Sequence, residues 1–267
     1  MPTIATPVGQ LSALPVQDSG ALAERYRSVR ARTEALCEPL EREDFVVSSM
    51  LDVSPTKWHL AHTSWFFETF VLSSHDSGYQ SPDQRYAFLF NSYYVQAGER
   101  HCRAQRGLVT RPTVEQVFEY RAWVDDAMLR LIDRIAEDAA HPAVALIELG
   151  LQHEQQHQEL LVTDIKHVFW TNPMRPVYDA RAIPIRAALE AGTRWKTMDA
   201  GIYHVGHEGA GFAFDNERAR HRVFLEPFRV AERLVTNGEY LQFVKDAGYR
   251  RAELWLAAGF SCTQDRR

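Results

Sequence analysis

Apolar side chains recur every three to four positions in four stretches of this chain, and that spacing predicts four amphipathic helices. The first covers Ala21 to Cys37, with Leu22, Tyr26, Val29 and Leu36 on one face and the breaker Glu38-Pro39 after it. The second opens at Ser54-Pro55, where Ser54 is expected to cap and Pro55 to take the first helical position. It runs through Trp58, His62, Trp65, Phe66, Thr69 and Phe70 to about Ser73. Thr110 to Asp138 forms a third, with a stripe of Val114, Val117, Tyr120, Val124, Met128, Leu131 and Ile135. The fourth spans Pro142 to about Trp170 and stops at Asn172-Pro173. Between the second and third, Ser74 to Arg111 holds Gly78, Pro82, Gly98 and Gly107 and reads as a long connection, a length more often functional than not.

Four such segments predict a helix bundle, and bundle cores are common places for metal sites. Beyond Pro173 the pattern changes. Glycines crowd together at 192, 201, 206, 209 and 211, and short alternating runs such as Ile202-Tyr203-His204-Val205 and Arg222-Val223-Phe224-Leu225 replace the stripes. An α+β chain follows, with residues 1–20 as a flexible lead-in, 21–175 as the helical domain, 176–190 as a linker and 191–267 as a second domain.

Composition narrows the function classes. Across 267 residues the chain is 45% hydrophobic and 24% charged with a formal net charge of −5, which gives no basic field for nucleic acid. No apolar run approaches the ~20 residues needed to span a bilayer. Met1 to Gly20 lacks the charged start and apolar core of a signal peptide. Three cysteines, Cys37, Cys102 and Cys262, include no C-x-x-C pair, so a reducing, cytoplasmic setting is expected.

The chemistry concentrates in His153-Glu154-Gln155-Gln156-His157-Gln158-Glu159. Residues four apart share a helix face, so His153 and His157 present two imidazoles to the apolar stripe, half of a site for zinc, iron, nickel or copper. The second helix offers His59 or His62 as a third ligand; three apart, only one of them is expected to face the pair. Glu159 lies about 200° around the helix from His157 and is expected in solvent or behind a ligand. The same stretch matches H-E-x-x-H of zinc proteases, with Glu154 as base. The extended protease pattern needs Gly and His where this chain has Leu160 and Thr163, so this reading ranks last and replacing Glu154 is expected to leave metal binding intact.

Trp58-His59-Leu60-Ala61-His62-Thr63-Ser64-Trp65-Phe66-Phe67-Glu68 and His153 to Glu159 resemble the DinB-like domain of ergothioneine-biosynthesis sulfoxide synthases. Phe90-Asn91-Ser92-Tyr93-Tyr94 and Arg100 to Gly107 resemble it too. The resemblance implies Fe(2+) held by His62, His153 and His157, with Gln156 lining the pocket for hercynine. It implies that Arg100, Arg103 or Arg106 binds the carboxylate of the sulfur donor, cysteine or γ-glutamylcysteine, which is joined to hercynine with O2. From Gly201-Ile202-Tyr203-His204-Val205-Gly206 through Phe212 to Glu217, His221, Phe228, Asn237, Tyr240, Gly248-Tyr249 and Leu254-Trp255, the chain resembles the start of formylglycine-generating-enzyme domains. These have a C-type-lectin-like fold of the sulfatase-modifying-factor type. Family members continue past this point and carry a catalytic tyrosine there, so the resemblance implies an incomplete second domain, loosely held from about residue 190, and weak or absent turnover. DinB-like thiol transferases or hydrolases, and a non-catalytic metal-binding remnant, stand as alternatives.

Overall fold

The computed structural model describes residues 19–92, 98–181 and 192–265. The four expected helices are α1 (Ser19–Ala35), α2 (from Thr56), α3 (Val114–Arg134) and α4 (Pro142–Thr171). In α3, Thr113 and Gln116 cap reciprocally: the Thr113 hydroxyl accepts from the Gln116 N–H (3.2 Å) and the Gln116 side chain accepts from the Thr113 N–H (2.9 Å). Pro142 occupies the first turn of α4, whose cap is His141, the ring nitrogen accepting from the Ala143 N–H at 3.2 Å.

The start of α2 departs from expectation by one residue. Pro55, extended at φ −62° and ψ 150°, is the cap, and its carbonyl accepts from the N–H groups of Trp58 (2.9 Å) and His59 (3.2 Å). Ser54 does not cap, because its hydroxyl accepts from Arg106 (3.0 Å) and its N–H donates to Asp164 (3.1 Å). After Phe66 the helix widens into a π-helical stretch, Phe67–Leu72, and closes with Ser73–His75.

α2 packs on α3 and α4, and α1 packs on the same two helices. Every residue of Thr56–Phe66 is buried, so its polar side chains need partners from neighbouring elements. Lys57, for example, donates to the carbonyls of Val109 (2.8 Å) and Pro112 (2.9 Å). Close approach of α4 to α2 requires Gly150: a Cβ there would stand 2.4 Å from the Phe67 ring and 3.0 Å from that of Phe66.

The core of this unit also encloses charge. Glu154, fully buried, accepts from Arg30 (2.9 Å), Arg121 (3.1 Å) and the Thr33 hydroxyl (2.6 Å). Arg121 also donates to the Leu60 carbonyl (3.2 Å) and the Thr63 hydroxyl (3.1 Å), tying α3 to α2. Burial alone would raise the Glu154 carboxyl, but the two guanidinium charges and the Thr33 hydroxyl outweigh it and hold the carboxyl below its usual range.

The described residues divide into two compact units, one made of the described residues up to 181, which hold α1–α4, with residues 207–218, and the other of 192–206 and 219–265. The 207–218 segment therefore groups with the helices, although it lies beyond the expected boundary. Much of the expected linker, Tyr93-Tyr94 and most of the lead-in lie outside the described residues. In the second unit β1 (Trp195–Met198) pairs antiparallel with β4 (Phe228–Ala231), and β2 (Gly201–Val205) with β3 (His221–Leu225). The strands form two separate two-stranded sheets. They are followed by α5 (Asn237–Lys245), which Thr236 and Glu239 cap, and α6 (Ala257–Asp265). Gly248 is the only buried residue among those described in this unit, and Leu234, Leu256, Ile202 and Phe224 are all well exposed. Among the described residues, no helix is long and apolar enough to cross a membrane.

Candidate metal centre

His62 projects from α2 and His153 and His157 from successive turns of α4, and one ring nitrogen from each lies within 4.8 Å of the others. All three side chains are buried. His62 is stacked against two indoles, Trp58 at 4.4 Å and Trp65 at 5.3 Å between ring centres, both at an interplanar angle of 15°. Its Nδ1 is 2.6 Å from the Phe90 carbonyl oxygen. A carbonyl only accepts, so Nδ1 carries the proton and Nε2 keeps the lone pair.

Burial is the main reason the three rings stay neutral. It lowers His153 to about 4, with the neighbouring Glu154 charge opposing and His59 adding to the effect. His62 and His157 fall well below the ordinary histidine value, first through burial and then through the other imidazoles of the cluster. Neutral imidazole is the form that binds a metal. The donor set therefore suits a transition metal that accepts nitrogen ligands, and three ligands leave coordination positions for exogenous groups.

The rings face a cavity of about 520 Å³, lined also by Trp58, Gln156, Arg103, Arg106 and Asp164. Arg106 is itself buried; its guanidinium lies 3.5 Å over the Trp58 ring and donates to the hydroxyls of Ser54 (3.0 Å) and Ser92 (3.1 Å). Gln156 and Arg103 reach the cavity from exposed positions. Arg100 does not line it: exposed, it donates to the Ser92 carbonyl at 2.7 Å, which turns its charge to the backbone of the connection.

A further expectation is corrected. His59 does not point away from the pair, because its Nδ1 is 2.9 Å from the Nδ1 of His157 and its Nε2 is 3.0 Å from Asp164. Glu154 is turned from the cavity into the Arg30–Arg121 cluster, out of reach of a base's role there, and its charge balances that cluster. Glu159 is exposed, as its position on the helix requires. Asp164 was not among the residues singled out, although a signal existed: seven residues beyond His157, it returns to the same face of α4.

A match to the DinB superfamily covers residues 25–161, which is 137 of the 267 residues and includes all three histidines. The chain belongs to the DinB superfamily. It is similar to the hercynine oxygenase of Mycolicibacterium thermoresistibile, 28% identical over 257 residues, which covers 94% of this chain and 54% of that protein. The hercynine oxygenases of Mycolicibacterium smegmatis and Mycobacterium tuberculosis are each 27% identical over 248 residues, 91% of this chain and 54% and 55% of theirs. The chain thus spans about half the length of the curated relatives it matches.

Proposed function

We propose that the chain carries the metal-binding part of a sulfoxide synthase of the hercynine oxygenase kind. Such an enzyme joins cysteine or γ-glutamylcysteine to hercynine with O2 in ergothioneine biosynthesis. The observation that carries this reading is the convergence of three neutral imidazoles, on two helices, at a cavity lined by Gln156, Arg103 and Arg106. Similarity to the hercynine oxygenases over most of the chain supports it.

On this reading His62, His153 and His157 hold Fe(2+), which when bound supplies the redox chemistry and the coordination positions for the two reactants. The three imidazoles bring no negative charge, so a thiolate is the complementary donor group. Arg106, fixed by Trp58 and two serines, keeps a guanidinium at the cavity, and with Arg103 it presents positive charge to the carboxylate of the thiol. Gln156 offers an amide to hercynine. The helices form the DinB-type four-helix bundle, taken as residues 21–175 with 176–190 as linker. Residues 191–267 correspond to the start of a formylglycine-generating-enzyme-like domain, and the setting is the cytoplasm.

The test is an assay of the iron-loaded protein in air with hercynine and each thiol, read by mass spectrometry for the sulfoxide. It is run on this chain and on the chain extended by the remaining C-terminal half of a hercynine oxygenase. Product from the extended chain that His153→Ala abolishes is expected. An extended chain that binds iron yet forms no sulfoxide with either thiol refutes the function.

A further inference from the structure

With a neutral His59, the contacts around it have one self-consistent arrangement of protons. The Asp164 carboxylate accepts and cannot donate, so the His59 Nε2 at 3.0 Å must carry a hydrogen. The same carboxylate oxygen accepts the Ser54 N–H at 3.1 Å, which anchors it from a second direction. A neutral His59 with its proton on Nε2 has a lone pair on Nδ1. That atom lies 2.9 Å from the Nδ1 of His157, a separation that holds one proton, since two lone pairs would repel and two hydrogens would clash. The proton therefore belongs to His157 Nδ1, and His157 Nε2 is left with its lone pair.

We infer that His59 and Asp164 are positioning residues for His157, forming a two-link relay from carboxylate to imidazole to imidazole that fixes which His157 nitrogen can bind a metal. The inference rests on the reading of His62, His153 and His157 as a metal centre. The relay does for His157 what the Phe90 carbonyl does for His62, with one difference. Its far end is a charged group 14% exposed in its side chain, reached through a histidine only 3% exposed. An anionic acceptor behind a metal-binding imidazole raises the basicity of the ligand and fixes its ring orientation. His59 thus has a role distinct from that of a ligand: among the described residues, the three-histidine set does not include it.

Two readouts test the relay. The first is ¹⁵N NMR of histidine-labelled, metal-free protein, with His59 and His157 assigned from the spectra of His59→Phe and His157→Ala. The Nδ1–H form of His157 and the Nε2–H form of His59 are expected. The second is anaerobic titration with ferrous ion. His59→Phe is expected to weaken binding about 10–100-fold, the range for loss of a partner behind a ligand. His59→Asn, whose Oδ1 can stand where Nδ1 stands and accept the His157 proton, should recover most of that loss, which a packing defect would not predict. Asp164→Ala should weaken binding in the same direction. A wild-type His157 with its proton on Nε2 overturns the relay, and so does His59→Phe binding ferrous ion within about twofold of wild type. Because the NMR result needs no metal, it judges the relay separately from the metal reading. A wild type that takes up no ferrous ion refutes the metal reading, and the inference with it.

Discussion

Replacing Glu154 by Gln removes one negative charge while keeping the shape of the side chain, and the structure says what that leaves behind. Arg30 and Arg121 are 3% and 0% exposed, so neither can turn to water. Arg30 retains Asp125 at 2.6 Å, but the one carboxylate left to Arg121 among the described residues is Glu34, at 3.4 Å and 47% exposed. Removing one partner of a buried ion pair costs ~3–5 kcal/mol. The surviving Asp125 contact places this case near the lower end, ~3 kcal/mol, which for a chain of this size lowers Tm by ~6–12 °C. The amide also turns N–H groups toward the guanidiniums, so one of the former acceptor positions is lost outright. Thermal unfolding followed by far-UV circular dichroism measures the effect, with Glu159→Gln as a control on the exposed side of the same helix, expected within ~0.5 kcal/mol of wild type. A Glu154→Gln shift no larger than the control's would refute the claim that this carboxylate balances the cluster. Iron content per folded molecule should be retained, because Glu154 does not face the cavity.

Gly150→Ala should destabilise by ~1–2 kcal/mol despite the better helix propensity of Ala, because the new methyl meets two buried phenyl rings; urea unfolding at or above wild-type stability would show that those rings have room. Burial pushes the Cys37 thiol up to about 12, with Arg121 opposing. The native thiol holds its proton from about 9 to about 12 while the unfolded one releases it, so this residue's contribution to stability falls as pH rises through that window. At pH 8 iodoacetamide should label Cys102 and Cys262, which are exposed, and spare Cys37; equal labelling in the native protein contradicts that burial. Amide hydrogen exchange should show residues 192–206 and 219–265 exchanging faster than α1–α4, since side-chain burial there is almost absent; strong protection of β1–β4 would mean a core the exposed residues do not reveal.

The helices were readable because their inward stripes are long: Val114, Val117, Tyr120, Val124, Met128 and Leu131 each occupy the buried face that their spacing predicts. His153 and His157 were readable for the same reason, being one turn apart on such a face. Arg30 and Arg121 were not, since a lone arginine in a helix sequence is most often solvated. Only the fold brings Glu154, 124 residues from Arg30, to meet it. The His59–Asp164 contact spans 105 residues and was hidden similarly, although Asp164 shared the His157 face. The start of α2 was misplaced because Ser-then-Pro fits a cap locally, whereas Ser54 is claimed by Arg106 and Asp164 from distant parts of the chain. In the second unit the strands are four or five residues long, too short for alternation to indicate which partner each one takes.

The most direct test of the account is anaerobic ferrous-ion binding by the wild-type chain beside His62→Ala, His153→Ala and His157→Ala, with iron quantified after desalting and each variant confirmed folded by circular dichroism. The account predicts about one ion per chain in the wild type and loss of it in each of the three variants, as expected when a first-row metal loses one of three imidazoles. Wild-type iron content in any of the three would contradict the site as assigned.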